Sequence, residues 1–499
     1  MDSGKIREIV KDIAGQPYPG YVIMRAQARR EITIKLCNGK IENVFTGNES
    51  GMGVQAFTAN GASGFSSANT IDRKMAEELV QKATALARES ERIGCELNQQ
   101  IFSFPPHYDA LPNGVQYPFD QFTPQELQDM LAFIHDQLKK IHLADTGIAW
   151  QTSYKQIEDY WCIGRTDGTL VSFFIPRAVL LHQGTVRQGD AGQSFSVHLS
   201  GVDAGILLQE KRDGLLYRQA VDKANFISKV RTADQIPSGS YPIIIDYGLA
   251  KGLAHEAFGH AVESDLAEES VLSQNGKLQI GLMVSNHGVD ITDGSLKGDW
   301  AYQPYSANGE KRENVTIVED GILKQGLGDV FSAEKAGMAM TGAGRAESYG
   351  SIPLPRMTNI RLVTKKHIPL PESETLENEL RNMRDVLIRE GLLEIGHHYV
   401  LVGYRGGQVN IKTGDFVFQC DGAVNIADPA LTVYRPGIFS GKILSVLGSV
   451  RLSTGQERYD AIGTCGKAGQ SIPSSGGGSG YIFIEKNEHI RLGGNESDR

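Results

Sequence analysis

Two histidines five residues apart, soon after an apolar stretch, constrain this chain more than any other feature. Pro242–Ile245 predicts a buried strand, and a helix-like segment with His255, Glu256 and His260 follows it. On a regular α-helix, residues four apart lie about 40° from each other around the axis, whereas residues five apart lie about 140° from each other. Both histidines can therefore reach one ion only if the helix widens locally. A π-bulge widens a helix in this way, and Gly259 is the residue best able to bend.

The histidine pair and its glutamate are typical of zinc hydrolases, in which two histidines bind the metal and the glutamate is the base. The usual histidine spacing is four residues, so two unrelated helix histidines remain the alternative. Zinc hydrolases normally use three protein ligands and leave a fourth position to water. Glu263 and Asp265 are candidates for the third ligand by proximity, and solvated helix charges are the other interpretation of both.

Composition sets the broad class of protein. A chain of 499 residues suggests about three domains, and 40% hydrophobic with 22% charged residues is typical of a globular protein with a large core. The 57 glycines favour a β-rich structure with many turns, and the net charge of −9 argues against nucleic acid as a partner. The first residues carry no signal segment, and no apolar run approaches the ~20 residues of a membrane helix. We therefore expect a cytoplasmic protein with no membrane partner.

The five cysteines are widely scattered and form no disulfide framework. Cys37, Cys162 and Cys420 lie in or beside strand-like stretches, which favours small buried hydrophobic residues. Cys465 differs, because it lies in a glycine-punctuated stretch that predicts a loop. It is a candidate metal ligand or nucleophile, with an incidental loop residue as the alternative. The same stretch fails the phosphate-loop pattern, so we reject nucleotide binding there.

The first part of the chain predicts an α+β domain. Residues 3–14 have the apolar spacing of a short amphipathic helix, and residues 21–65 alternate as strands do. Asn38-Gly39 is a strong hairpin signal within those strands. A long helix is expected at about 71–92.

A second α+β domain is expected after a proline-rich connection at 102–122. Thr123 and Glu126 form a capping box, and Pro124 suits the first helical position, which predicts a helix to about Ile141. The other expectations for this part are strands through 147–200, turns at Asp167-Gly168 and Gly189-Asp190, and a helix at about 213–229.

The third part is expected to be β-rich. A strand and the histidine helix open it, strands and glycine turns follow, and a further helix is predicted at about 375–390. We interpret Gly476–Gly480 as a flexible loop. The expected fold class is thus α+β, with N-terminal α+β domains followed by a β-rich C-terminal domain that carries the metal-site helix. The expected domains are residues 1–105, 106–230 and 231–495.

Several motifs of the chain occur together and in order in one known family. The stretch His255–Asp265 resembles the metal-site helix of the TldD branch of the TldD/PmbA metalloprotease family. The other resembling motifs are Thr341–Arg345 with Arg356–Asn359, Gly406–Asn410 with Thr413–Phe416, and Cys465–Gln470. The N-terminal hairpins also resemble the family's first domain, so the resemblance covers nearly the whole chain. One departure is Phe258, which stands where the family more usually has valine.

The resemblance implies a zinc-dependent metallopeptidase that cleaves small or unfolded peptides. It implies that His255, His260 and Cys465 bind one Zn²⁺ per chain and that Glu256 is the catalytic base. It also implies an oligomer, formed either with a related PmbA-like subunit that lacks the histidines or by the chain with itself.

Four further residues are candidates for contact with the peptide substrate. An extended peptide can add to an exposed sheet edge, and Gly406 and Gly407 would permit close backbone approach, with plain turn glycines as the alternative. Arg345 and Tyr349 are the other two candidates. A structural salt bridge for Arg345 and a core position for Tyr349 are the alternative interpretations.

Two other functions compete with the zinc peptidase. A thiol hydrolase would use Cys465 as nucleophile and a histidine as base. A non-catalytic peptide-binding or regulatory subunit is the second, since members of the resembling family were once described as modulators of DNA gyrase. The acidic charge of the chain argues against direct DNA contact.

Overall fold

The computed structural model describes residues 2–143, 146–188, 191–393 and 396–493. The expected turn at Gly189-Asp190 and the expected end of the third domain at Asn495 lie outside these ranges. The elements of the first half are α1 (Ser3–Ala14), β1 (Tyr21–Cys37), β2 (Lys40–Phe57), β3 (Ser63–Ala68), α2 (Arg73–Arg92), β4 (Tyr108–Ala110), α3 (Pro124–Leu138), β5 (Gly147–Arg165), β6 (Leu170–Phe174), β7 (Arg177–Gln188), β8 (Ala191–Gly201), α4 (Gly205–Asp213) and α5 (Leu215–Thr232).

The second half contains shorter strands and fewer helices. Its elements are β9 (Ile243–Asp246), α6 (Tyr247–Leu253), β10 (Ser273–Gln274), β11 (Lys277–Leu278), β12 (Val289–Gly294), β13 (Val315–Glu319), β14 (Ile322–Leu323), β15 (Gly344–Arg345), β16 (Leu354–Pro355), β17 (Asn359–Thr364), β18 (His367–Ile368), α7 (Leu376–Arg389), β19 (Tyr399–Val402), β20 (Gly406–Asn410), β21 (Asp415–Gln419), β22 (Gly422–Asn425), β23 (Val433–Tyr434), β24 (Ile438–Lys442), α8 (Ile443–Gly448), β25 (Val450–Thr454), β26 (Gly463–Lys467), β27 (Gln470–Gly478), β28 (Tyr481–Ile484) and β29 (Ile490–Leu492). The α+β fold class is confirmed.

Local sequence signals are confirmed where they act within a few residues. Asn38 and Gly39 have φ of 48° and 83° and join β1 to β2 in a hairpin. The side chains of Thr123 and Glu126 form the expected reciprocal cap at the start of α3. The helix expected at 213–229 begins at Leu215, because Gly214 (φ 58°) breaks it from α4.

The N-terminal half is built on one long sheet. Its strand order is β3-β2-β1-β5-β6-β4, and β7 pairs with both β5 and β8. Strand β1 pairs with β5 along nearly its whole length, from Ile23 opposite Arg165 to Cys37 opposite Gln151. The expected boundary at 105/106 therefore falls inside this sheet. The division into three domains stays a proposal, and the strand pairing favours one unit for the first two parts.

Three larger sheets form the C-terminal half. One has the order β18-β25-β28-β9-β19-β22-β23, a second has β14-β13-β12-β17-β27-β26, and a third has β20-β21-β24-β29. Helix α6 leaves the central strand β9 and contacts β27 and β17 of the second sheet. It is thus held between two sheets, within an apolar core that includes Leu249, Leu253 and Phe258. No described helix has the length and apolar character needed to cross a membrane.

The Gly476–Gly480 tract is largely a buried strand, so the expected flexible loop is wrong. Gly476, Gly477 and Gly478 end β27, which lies beside β17 in parallel pairing. A Cβ at Gly477 would lie 1.9 Å from the Arg458 carbonyl oxygen, and the residue has φ of 155°. The glycines therefore permit three backbone segments to approach one another closely. Glycine in this tract serves close packing and not the flexibility of a loop.

We expect Gly477→Ala to destabilise the fold by about 3 kcal/mol or more, because the new methyl meets backbone and the φ is strained. Thermal and denaturant unfolding measure the change. Gly466→Ala is the matched control, since it lies in the adjoining strand with open space around its Cβ position. Equal stabilities of the two variants would contradict this packing argument.

Candidate metal centre

The helix that carries the two histidines is wider than an α-helix where the histidines lie. Asp246 caps α6 by accepting a hydrogen bond from the Leu249 N–H (2.9 Å). The helix continues as a π-helical turn over Ala254–Gly259, and the N–H of His260 donates to the carbonyl of His255. This bond spans five residues and brings the two rings together, with centroids 5.1 Å apart. The predicted local widening is confirmed.

Gly259 contributes through packing rather than through an unusual backbone angle. Its φ of −54° is ordinary for a helix. A Cβ there would lie 1.7 Å from the Met357 sulfur, so the thioether packs directly against the backbone of the turn. Met357 belongs to the Arg356–Asn359 stretch, for which the sequence indicates a family resemblance but no physical role.

Cys465 lies on a strand, not in the expected loop. It is the third residue of β26 and is opposite Ile472 of β27, in a hairpin closed by Ala468 and Gly469 with φ of 48° and 76°. The left-handed turn accounts for Gly469. Arg356 donates a hydrogen bond to the Cys465 carbonyl and fixes the strand at this point.

Ligand atoms of His255, His260 and Cys465 all lie within 4.8 Å of one another. The Sγ of Cys465 is 3.5 Å from Nε2 of His260. Tetrahedral zinc with ordinary bond lengths places such atoms about 3.5 Å apart, so small side-chain shifts would complete the geometry. The Nδ1 of His255 is buried and has no hydrogen-bond partner among the described residues. Two imidazoles and one thiol suit zinc better than magnesium or calcium.

The local electrostatics favour metal-binding forms of His255 and Cys465. Burial, with Lys251 and His260 nearby, holds the pKa of His255 well below its ordinary value, so the imidazole is neutral. Burial opposes ionisation of Cys465, but the hydrogen bond and charge of His260 outweigh it and lower the pKa of the thiol. Burial lowers the pKa of His260, but Glu263 and Cys465 outweigh it and raise that pKa well above its ordinary value. Because a metal needs neutral imidazoles and a thiolate, its binding would displace a proton from His260.

Glu263 orients His260, a role that the sequence did not predict. The buried Glu263 Oε2 lies 2.9 Å from Nδ1 of His260, which leaves Nε2 facing Cys465. Lys467 donates to Glu263 (2.8 Å) and to Asp265 (2.6 Å) and neutralises the buried carboxylate. A carboxylate behind a histidine ligand fixes its tautomer and ring position. For Glu263 the solvated-charge interpretation is thus wrong.

Glu256 faces the same region from the π-helical turn. Burial raises the pKa of its carboxyl group, while His260 and Lys251 act in the opposite direction. A raised pKa brings a carboxylate closer to the value of an efficient general base near neutral pH.

A cavity of about 490 Å³ lies beside helix α6, which leads into the π-helical turn. We call it the Lys251 cavity. Strand β8 and helix α5 of the N-terminal half form one wall, and the C-terminal half forms the other. Its lining includes Ser194–His198, Lys223, Tyr247, Lys251, Gly403–Arg405, Asp421, Ala461 and Ile462.

Arg345 and Tyr349 lie in the interior. Arg345 is 2% exposed and donates to Gln303 Oε1 (2.9 Å) and to the Met357 carbonyl, so its bonds go to neutral groups and not to a salt bridge. Tyr349 donates its hydroxyl to Asn69 Oδ1 (2.8 Å) and packs where Cβ atoms on Gly51 and Gly53 would lie. Tyr349 therefore joins the C-terminal half to the N-terminal sheet.

Gly406 and Gly407 open β20, the first strand of the third sheet. Gly406 has φ of 119° and open space around it, whereas a Cβ on Gly407 would meet the Phe418 ring at 1.8 Å. The outer side of β20 pairs with no other described strand, and β20 contacts the π-helical turn. An unpaired strand edge thus lies next to the three-residue cluster.

Comparisons with known proteins identify the family of the chain. The C-terminal domain of PmbA/TldA metallopeptidases matches residues 238–486, and domain 1 of these proteins matches residues 24–87. A metalloprotease of Methanocaldococcus jannaschii is 27% identical, over 92% of this chain and 94% of the relative. A zinc metalloprotease TldD homolog of Saccharolobus solfataricus is 28% identical over 52% of each chain.

The fold also matches a solved structure over almost its full length. TldE from Thermococcus kodakarensis superposes with a TM-score of 0.72 at 12% identity, covering 99% of this chain and 100% of that one. At that identity the likeness concerns the fold alone. The two domain matches show that the chain belongs to the PmbA/TldA metallopeptidase family.

We expect Glu263→Gln to lower zinc affinity about 10- to 100-fold, because it removes the charge that holds His260. Competition with a chromogenic chelator measures the affinity. Asp265→Asn is the matched control, since Asp265 shares the Lys467 contact but does not contact His260. Equal losses of zinc affinity in both variants would mean that the effect comes from the Lys467 contact, and not from the bond between Glu263 and His260.

Proposed function

We propose that this protein is a zinc-dependent peptidase in which His255, His260 and Cys465 bind one Zn²⁺ per chain. The observation that carries the proposal is the convergence of these three side chains beside Glu256, from a helix and a strand that are far apart in sequence. The similarity to the zinc metalloprotease of Saccharolobus solfataricus supports the choice of metal.

When bound, zinc would supply a Lewis acid and a coordinated water with a pKa of about 7. Glu256 accepts the proton of the attacking water as the oxygen adds to the scissile carbonyl. It then gives that proton to the leaving amine nitrogen as the C–N bond breaks. Glu263 keeps the Nε2 of His260 directed at the cluster throughout.

The proposed substrates are small or unfolded peptides, bound as an added strand on the outer edge of β20. Main-chain hydrogen bonds hold such a strand with little dependence on sequence. Gly406, with open space around it, suits close approach of the peptide backbone. For Arg345 and Tyr349 the internal hydrogen bonds favour structural roles over substrate contact.

We further propose that the protein works as an oligomer, either with a related PmbA-like subunit or with itself. The likeness to TldE supports a shared fold for two such subunits. Light scattering of the purified chain, alone and with a candidate subunit, distinguishes the two assemblies.

Glu256→Gln should strongly reduce peptide cleavage, because an amide cannot accept the proton of the attacking water. Zinc content should stay near wild type, because the three proposed ligands are unchanged. A loss of about 10²–10⁴ in kcat is expected for a general base. Cleavage of a mixture of unstructured peptides, followed by mass spectrometry, measures it. Glu269→Gln is the control, an exposed glutamate of the following segment. Full activity of Glu256→Gln would exclude this mechanism and favour the regulatory or peptide-binding role.

Cys465→Ala should reduce bound zinc from about one per chain, because it removes one of three ligands. Elemental mass spectrometry of the purified protein measures the content. Cys420→Ala is the matched control, a buried cysteine of the same half that lies outside the cluster. Unchanged zinc in Cys465→Ala would return the third ligand to Glu263, Asp265 or another residue.

The 3.5 Å contact of Cys465 with His260 also suits the rival thiol hydrolase. Chelators separate the two mechanisms. A zinc peptidase loses activity to a chelator and regains it with zinc, whereas a thiol hydrolase resists the chelator and is inactivated by alkylation.

A further inference from the structure

Lys251 is a buried lysine between the two elements that carry the proposed ligands. It lies on α6 one helical turn before His255, and the residue is 6% exposed. Two glycines make room for its side chain. A Cβ on Gly463 would lie 3.0 Å from Nζ, and a Cβ on Gly476 would lie 3.0 Å from Cγ. Gly463 and Cys465 are two residues apart on β26 and so share one face of that strand.

The charge of Lys251 has no acidic partner at ion-pair distance among the described residues. Within the part of the chain that the structure describes, its Nζ makes one weak hydrogen bond, to Ser474 Oγ at 3.3 Å. Two other lysines differ, since Lys223 in the same cavity is 2.5 Å from Asp421 and Lys467 contacts two carboxylates. Burial lowers the pKa of Lys251, whereas Glu256 and Cys465 raise it from beyond ion-pair distance. Because no ion pair among the described residues offsets the cost of burying this cation, a negative charge that forms beside Nζ would be stabilised.

Lys251 also lies near enough to the proposed general base Glu256, and to the proposed ligands His255 and Cys465, for their charges to interact. It lines the Lys251 cavity, and its charge acts on His255 and on Glu256. As water adds to a peptide carbonyl, the C=O π electrons move to the carbonyl oxygen. Donors fixed in advance around that oxygen stabilise the transition state in a water-poor site.

We propose that Lys251 is a further catalytic residue, whose ammonium group donates a hydrogen bond to the scissile carbonyl oxygen as that oxygen becomes negative. This inference rests on the proposed peptidase function. Lys251 keeps its protons throughout, because Glu256 carries the proton from the water to the leaving nitrogen. When the tetrahedral carbon collapses, the C=O bond forms again and the C–N bond breaks.

The test compares the zinc-loaded full-length wild type with Lys251→Met, Lys251→Arg and Lys223→Met. One quenched fluorescent peptide, selected for cleavage by wild type, gives kcat and KM. A phosphinic analogue of the same peptide carries a tetrahedral anion in place of the scissile amide, and calorimetry gives its affinity. We expect Lys251→Met to lose about 10²–10³-fold in kcat and a similar factor in phosphinate affinity, with KM changed less than about threefold.

Two further variants test whether the losses are specific to the charge at position 251. Lys251→Arg keeps the charge and should recover part of both losses. Lys223→Met removes a neutralised lysine of the same cavity and should leave the ratio of phosphinate affinity to KM unchanged. Zinc content and melting temperature are measured for each variant. Where Lys251→Met does not fold, Lys251→Gln takes its place with the same expected losses.

Four outcomes would overturn the inference. A fall in kcat without loss of phosphinate affinity would mean that Lys251 acts through Glu256 or through packing. A rise in KM alone, confined to peptides with a free C-terminal carboxylate, would make Lys251 a substrate-carboxylate site. Wild-type kinetics in Lys251→Met, with Glu256→Gln inactive, would remove this role and leave the peptidase proposal intact. Full cleavage by Glu256→Gln would instead overturn the peptidase proposal itself, and this inference with it.

Discussion

The hydrogen bond from the His260 N–H to the His255 carbonyl is the constraint on which the candidate metal centre depends. It belongs to a π-helical turn, and without that turn the two rings would face different sides of the helix. π-helical turns are rare in proteins, so the surrounding fold must stabilise this one. Phe258 is fully buried in the apolar core, and Met357 packs onto the backbone at Gly259. Packing of these two side chains around the π-helical turn therefore helps to set the geometry of the cluster.

Compensation of buried charge explains the residues around the cluster. Glu263 has no exposed surface, and His260 and Lys467 both bond its Oε2 atom. Because Lys467 follows Cys465 by two residues, the same strand supplies a ligand and the counter-charge of the carboxylate behind another ligand. Arg356 holds the carbonyl of Cys465. One hairpin thus places a proposed ligand and stabilises the orientation of a second one.

Features set by neighbouring residues were predictable from the sequence, and features set by distant ones were not. The first hairpin turn, the cap at Thr123 and the widened helix follow from angles and hydrogen bonds within six residues. The loop predicted for Gly476–Gly480 is wrong because its glycines accommodate the backbones of Ile360, Arg458 and Leu362. No local pattern in the sequence reveals these distant neighbours. The strand around Cys465 was missed for a similar reason, since it has few apolar residues and pairs mainly with β27. Its place in the cluster came from resemblance to a family, because spacing in the sequence does not specify proximity between residues 205 positions apart.

The two halves of the chain contribute different parts of the candidate site. All three proposed ligands come from the C-terminal half, whereas β8 and α5 of the N-terminal half form one wall of the Lys251 cavity. Tyr349 crosses between the halves and packs against the sheet at Gly51 and Gly53. A cavity of about 490 Å³ is in the range that holds small ligands, whereas a folded domain of 100 residues has a radius of gyration of about 13 Å. In the proposed peptidase, the wall contributed by the N-terminal half would favour a short or unfolded chain over a folded domain beside Lys251.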